Sequence, residues 1–206
     1  FPVIGLTGSN GKTTNKELIS AVLARKYRTY FTQGNYNNHI GVPLTLLSIP
    51  LDAEIAVIEM GANAQGEIRD LSKICDPDVG MITNIGKAHL EGFGGIEGVK
   101  KGKSELYKHI KAKDGLIFVN GDDPVLMELS EGMNRIAYGT QNGFYVTGQL
   151  LKRKPFLSFA FEHEGEKSGE IKTHLVGAYN FSNLMAAACI GSYFKIPVKD
   201  AAAALS

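Results

Sequence analysis

"VIGLTGSNGKTTNKEL", residues Val3 to Leu18, joins a short apolar run to a helical pattern through three glycines spaced three apart, a lysine and two threonines. An apolar run of this length ahead of Gly8 and Gly11 reads as a strand entering a tight turn, and the residues after Lys12 read as the helix that leaves it. A helix that starts in such a turn directs its open backbone N–H groups, and the positive end of its dipole, at whatever sits in the bend. That is a cradle for phosphate oxygens. Against the general phosphate-loop pattern G-x-x-x-x-G-K-[ST], the first glycine falls on Leu6, while Gly11, Lys12 and Thr13 match and Gly8 supplies the second bend. Lys12 is expected at the β/γ-phosphates and Thr13 at a magnesium ion. A dinucleotide-binding turn has no need of the Lys12-Thr13 pair.

Working outward, short apolar runs alternate with helical stretches through the first two thirds of the chain. Strands are predicted at Val3 to Thr7, Arg28 to Thr32, Ile55 to Met60, Val79 to Thr83 and Leu116 to Asn120. Helices are predicted at Thr13 to Lys26, Val42 to Ser48, Ala64 to Ile74, Ile96 to His109 and Pro124 to Leu129. This alternation predicts an α/β fold of the phosphate-loop type, a mostly parallel sheet covered by helices on both faces, with ligands at the carboxyl ends of its strands. From Met133 to His174 the runs "NRIAYG", "FYVTGQLL", "PFLSFAFEH" and "SGEIKTHL" are short and partly alternating, which predicts additional antiparallel strands on one edge toward the C-terminal part. A last long helix is expected over Asn180 to Phe194, with Asn180 as its N-cap.

The 206 residues, 44% of them hydrophobic, suffice for one core and are read as one domain, residues 1–206. Twenty-two basic against 21 acidic residues give a net charge of +1, which argues against a nucleic-acid surface, so phosphate is handled locally. Apolar runs such as "AEIAVIEMGA" fall well short of the roughly 20 residues of a membrane helix, and no signal-peptide pattern is present, so no membrane partner is expected. Cys75 and Cys189 are too few and too far apart for a zinc site or a disulfide framework; two buried free thiols in a reducing cytoplasm is the expected state. The abrupt start at "FPVIGL" and the end in "KDAAAALS" give the look of a domain cut from something longer.

Phosphate-bound magnesium needs a further protein oxygen from a neighbouring strand end, and Glu59 closes the strand "EIAVIE" at that side. His89 falls just past the next strand, on the same ligand side. Beyond it, "GVKKGKSELYKHI" offers Lys100, Lys101 and Lys103, among which composition does not choose.

Seven blocks, "TGSNGKTT", "GNYNNHIGVPLTLL", "EMGA", "TNIGKAHLEGFGG", "GVKKGKSEL", "NGDDP" and "VGAYNFSNLMAA", resemble in order and spacing those of the ATP-dependent Mur ligases of peptidoglycan synthesis. The second and third blocks most resemble the branch that adds D-alanyl-D-alanine to UDP-N-acetylmuramoyl-tripeptide. The resemblance implies an ATP loop at Thr7, Gly8, Ser9, Asn10, Gly11, Lys12, Thr13 and Thr14, with Thr13 and Glu59 at a first magnesium ion. It implies that His89 binds a second magnesium ion together with Lys103, carbamylated by CO₂ into a carboxylate-like group. Lys12, Lys103 and His89 are then the catalytic residues, Asn180 and Asn183 lie near the nucleotide base, and Asn35, Asn37 and Asn38 face the UDP-sugar substrate. Two positions depart from the family pattern. Tyr179 stands where histidine is common, and Gly102 where alanine is common; a mid-helix glycine costs about 1 kcal/mol relative to alanine, so a looser helix is expected there.

The resemblance further implies an acyl-phosphate mechanism on UDP-muramoyl peptide and D-Ala-D-Ala. It implies that an amino-terminal UDP-binding domain and a carboxyl-terminal closing domain, the rest of the same ligase polypeptide, are absent from these residues. Other readings are a ligase of the same superfamily with a folate acceptor, such as folylpolyglutamate synthase, and a nucleotide-binding switch without ligation chemistry, which would leave His89 and Lys103 idle.

Overall fold

The computed structural model describes residues 1–206. One ten-stranded sheet runs through the molecule in the order β10 (Ile171–Lys172), β8 (Ser158–His163), β7 (Val146–Lys152), β6 (Arg135–Gly139), β5 (Leu116–Asn120), β4 (Val79–Ile82), β1 (Val3–Thr7), β3 (Ile55–Glu59) and β2 (Thr29–Phe31), with β9 (Glu166–Lys167) paired to β8. The parallel part comprises β1 (Val3–Thr7), β2 (Thr29–Phe31), β3 (Ile55–Glu59), β4 (Val79–Ile82) and β5 (Leu116–Asn120), the five strands predicted. From β1 the chain passes outward to β2 and β3 and then crosses to β4 on the other side of β1. The strand order therefore reverses at β1, and the crevice at its carboxyl end is where such a sheet receives a ligand.

Period-two alternation divides the core. Ile4 and Leu6, Ile55 and Val57, Val79 and Met81, and Phe118 point to one side, where they meet α1 (Lys12–Leu23), α8 (Asn180–Tyr193) and α9 (Val198–Ala204). Ala56, Ile58, Ile82, Ile117 and Val119 point to the other, against α2 (Gly41–Leu47), α3 (Glu67–Cys75), α5 (Ile96–Lys103) and α6 (Glu105–Ala112). Each fully buried Ile or Leu contributes roughly 2 kcal/mol, so both helical layers are held firmly to β1. Helix α8 lies against α1 and is buried over most of its length, with Ala186, Ala187, Ala188 and Cys189 allowing close approach. Cys75 and Cys189 are both free and buried, and burial pushes the Cys75 thiol up to about 12. No helix is long and apolar enough to cross a membrane.

Three expectations are corrected. Strand β6 (Arg135–Gly139), from "NRIAYG", pairs parallel with β5, and β7 (Val146–Lys152) meets β6 in parallel; antiparallel pairing begins only between β7 and β8 (Ser158–His163) and continues to β9 (Glu166–Lys167) and β10 (Ile171–Lys172). Alternation reports which face of a strand is buried, whereas direction follows the connection. Helix α7 (Pro124–Leu129), started by the Asp123 side chain accepting from the Val125 and Leu126 N–H groups with Pro124 in its first turn, returns the chain to start β6 parallel. The predicted helix Ile96 to His109 is two helices, divided at Ser104, and a short helix α4 (Leu90–Phe93) precedes them. Asn180 is the first residue inside α8, after Tyr179, and its side chain is committed elsewhere.

Candidate functional site

The turn after β1 is built against the end of β4. The Ser9 N–H donates to the Asn84 carbonyl (3.0 Å) and the Asn10 N–H to Asn84 Oδ1 (3.1 Å), while Thr83 Oγ1 and Asn84 Nδ2 both donate to the Asn10 carbonyl (2.6 and 2.9 Å). Ser9 Oγ exchanges hydrogen bonds with the Gly86 backbone (2.9 and 3.1 Å), and Thr7 Oγ1 donates to the Met60 carbonyl (2.8 Å). Gly8 has φ +150°, and a Cβ there would collide with Thr83 Oγ1, so the bend requires glycine. Gly11, at φ +76°, offers no capping side chain, which leaves the first-turn N–H groups of α1, Lys12, Thr13 and Thr14 among them, open toward the bend. Thr83 and Asn84 escaped sequence reading. Their signal was the "TN" that opens the "TNIGKAHLEGFGG" block.

Lys12 arches back over this turn and donates to the Gly8 carbonyl (2.9 Å) and the Ser9 carbonyl (3.3 Å). Burial lowers its proton affinity, and the charge of Glu59 partly restores it. Glu59 ends β3 with its side chain buried; Oε1 accepts from Asn37 Nδ2 (2.8 Å) and Thr13 Oγ1 (3.4 Å), whereas Oε2 is buried with no hydrogen-bond partner. An orphan carboxylate oxygen beside a threonine hydroxyl is the donor set a divalent cation would complete. No group of three or more His, Cys, Asp and Glu side chains gathers anywhere. The protein's own ligands would thus leave most positions of such an ion to phosphate and water, which suits magnesium.

A cavity of about 500 Å³ opens beside Glu59, lined by Lys12, Asn35, Asn37, Asn38, Ala62 and His89 among others. His89 is exposed there, in the left-handed conformation at φ +53°. Lys103 reaches the same region from α5, with its Nζ donating to the carbonyl of the cavity residue Ala62 (3.3 Å) and lying 5.2 Å from the Phe93 ring centre. It is buried, unlike the exposed Lys101 and the half-exposed Lys100, which pairs with Glu97. Burial first, then the nearby charge of Lys12, lowers the Lys103 amine to about 8. Helix α5 runs through Gly102, where the Phe93 ring occupies the space an alanine Cβ would need.

Of the three loop asparagines, Asn35 is exposed, Asn37 holds Glu59, and Asn38 Oδ1 accepts from the Ile40 and Gly41 N–H groups (3.0 and 2.8 Å), starting α2. A second cavity, of about 650 Å³, lies on the other side of the loop between Asn10, Gly11, Thr83, Asn84, Asn120, Tyr179 and Asn183. Tyr179 is exposed at its mouth. Asn180 is buried just behind it and bonded to Asn183 (2.8 Å).

One charged residue of this site was not singled out from the sequence. Lys16, fully buried in α1, donates to the Gly34 carbonyl (3.0 Å), lies 3.3 Å from Glu17 and sits 3.8 Å from the orphan Glu59 Oε2. It lies four residues after Lys12 on α1, on the face the helix buries. Lys16→Met would leave the buried Glu59 oxygen without a counter-charge and cost about 3 kcal/mol. Thermal melts should show a lowered Tm that magnesium and ATP partly restore by binding the native carboxylate; an unchanged Tm would mean that the pair contributes nothing.

Residues 6–191 match the family profile described as the Mur ligase middle domain. The chain is 41% identical, over 99% of its length, to the UDP-N-acetylmuramoyl-tripeptide--D-alanyl-D-alanine ligase of Bacillus subtilis, of which it covers 44%. In three dimensions it is similar to MurF from Acinetobacter baumannii, with a TM-score of 0.88 and 35% identity over 99% of this chain and 45% of that one. It is also similar to the MurF ligase from Thermotoga maritima in complex with ADP, with a TM-score of 0.83 and 31% identity over 98% of this chain and 48% of that one. The chain thus spans less than half the length of these relatives.

Proposed function

The chain belongs to the Mur ligase family, through its middle domain, and from that membership we propose that it is the central ATPase domain of the ligase that joins D-alanyl-D-alanine to UDP-N-acetylmuramoyl-tripeptide in the cytoplasm. Its further domains, on the rest of the same polypeptide, take the UDP moiety and close over the dipeptide. The observation that carries the reading is Glu59: a buried carboxylate with one oxygen free of hydrogen bonds and only the Lys16 ammonium 3.8 Å away, next to Thr13 and at the foot of a lysine-bearing phosphate cradle.

Thr13 and Glu59 would hold one magnesium ion, and His89 with carbamylated Lys103 a second, and the bound cations would offset the negative charge of the triphosphate. A carboxylate oxygen of the peptide attacks the γ-phosphorus of ATP, the bond to the β-phosphate oxygen breaks, and ADP leaves. The amine of D-Ala-D-Ala then attacks the acyl carbon of the resulting acyl phosphate, forming the amide while phosphate departs and the nitrogen loses a proton. The first step needs no general base, because the nucleophile is already an anion. The obstacle is repulsion between anions, and the chain meets it with the Lys12 ammonium and the first-turn N–H groups of α1, placed before the substrate arrives. Lys12 exchanges the Gly8 and Ser9 carbonyls for phosphate oxygens in doing so. Asn183 faces the base with Asn180 bonded behind it, and Asn35 faces the UDP-sugar. Asn37 acts by orienting Glu59, and Asn38 by setting the start of α2.

In the full-length enzyme, ADP release is expected only with UDP-muramoyl-tripeptide and D-Ala-D-Ala together. Equal turnover with a folate and glutamate would transfer the chain to the folate branch, and ADP release with neither acceptor would favour a nucleotide switch.

A further inference from the structure

Between the phosphate loop and the start of α8 runs a chain of three buried side-chain amides. Asn15 Nδ2 donates to the Gly11 carbonyl (2.9 Å) and to Asn183 Oδ1 (2.7 Å), Asn183 Nδ2 donates to Asn180 Oδ1 (2.8 Å), and Asn180 Nδ2 donates to the Val176 carbonyl (2.9 Å). Asn15, Asn183 and Asn180 are 1%, 4% and 6% exposed. Both ends are backbone carbonyls, which only accept, so the direction of every amide between them is determined; turning one over would set donor against donor or acceptor against acceptor. Each amide nitrogen carries two hydrogens, and one on Asn183 is not consumed by the relay. Asn183 lines the 650 Å³ cavity, and that remaining hydrogen is the donor it has to offer a ring nitrogen or carbonyl of a bound base.

The other end of the relay holds the phosphate loop at Gly11, where Asn183 also leaves no room for a side chain. Asn15 holds the Gly11 carbonyl, and Asn183 Oδ1 lies 3.0 Å from where a Cβ on Gly11 would be. Gly11 precedes Lys12 and Thr13 directly and has the positive φ that aims their N–H groups. Asn15 also leaves its own Oδ1 buried and unpaired, an uncompensated desolvation that a residue placed for packing alone would avoid.

We propose that Asn15 is a positioning residue that couples base recognition by Asn183 to the phosphate grip at Gly11. Base binding locks Asn183, Asn183 locks Asn15, and Asn15 holds the loop in its phosphate-binding shape, so a nucleotide with the wrong base is gripped less well along its phosphates too. This rests on the reading that Asn183 faces the base.

The test is titration calorimetry of the full-length enzyme with the magnesium complexes of AMPPNP and GMPPNP. Wild type is expected to favour AMPPNP. Asn15→Ala should weaken AMPPNP about tenfold and narrow the preference over GMPPNP; Asn183→Ala should do the same, and the double variant should be no weaker than the worse single one, because one coupled unit is lost once. Asn15→Leu, which fills the space without polarity, carries the same expectation should the alanine variant fail to fold. Additive losses, or equal weakening of both nucleotides with the preference intact, would overturn the coupling and leave Asn15 as packing. No effect of Asn15 substitution beside a clear effect of Asn183→Ala overturns the relay alone. Loss of neither affinity nor preference in Asn183→Ala overturns the base-site reading and the relay with it.

Discussion

Lys103→Ala in the full-length enzyme is expected to lower turnover by about 10²–10³-fold, the loss typical of removing one group that stabilises charge in the transition state. Part of that loss should return when acetate or formate is added, since a small carboxylate can occupy the vacated space and restore the missing anion. The expectation follows from the lysine's surroundings. Its side chain is buried, its Nζ has a single carbonyl partner at 3.3 Å, and burial together with Lys12 lowers the amine to about 8. A neutral amine can attack CO₂, forming a C–N bond and releasing a proton to leave a carbamate anion; an ammonium cannot. Activity should therefore fall as the pH drops below about 8, and added bicarbonate should help most on that acid side. The same shift has a stability consequence with a definite sign. An unfolded lysine titrates near 10.5 and the folded one near 8, so between those values the unfolded chain binds more protons and stability rises with pH. That contribution is complete above 10.5 and is lost as the pH falls through 8. Denaturant melts in CO₂-free buffer should show the slope, and Lys103→Met should flatten it. An alanine variant working at the wild-type rate, or an intact-mass spectrum of CO₂-saturated enzyme lacking the carbamate, would refute the assignment.

Lys12→Ala is expected to abolish turnover for practical purposes, again at about 10²–10³-fold or more in kcat, because the proposed mechanism puts the ammonium where charge develops. Its fold cost should be small, since the side chain is half-buried and bonded only to the Gly8 and Ser9 carbonyls of its own loop. A variant with near-normal rate would sink the phosphate reading, and a variant that melts far below wild type would show that the lysine is chiefly structural. Steady-state kinetics and a melting curve on the same preparation separate the two.

The sixteen residues "VIGLTGSNGKTTNKEL" were the most legible part of the fold, because strand, turn and helix there obey local rules: an apolar run, two glycines where positive φ is needed, and an open helix start. Glu59 and His89 were placed near Lys12 by position alone, since in a parallel sheet the ends of neighbouring strands fall on one side whatever the side chains are. The direction of β6 was legible too, in the helix Pro124 to Leu129 that precedes it, yet the alternating texture of "NRIAYG" drew the opposite conclusion.

What local rules determined, then, is the parallel sheet, the glycine turn after β1 and the side of the sheet where the candidate site residues gather. Tertiary structure alone decided which of three neighbouring lysines loses its water, that Lys16 would sit buried beside Glu59, and that Asn15 would meet Asn183, 168 residues away. Burial and long-range hydrogen bonds depend on which surfaces the folded layers bring together, and desolvation acts on a side chain only after that packing exists.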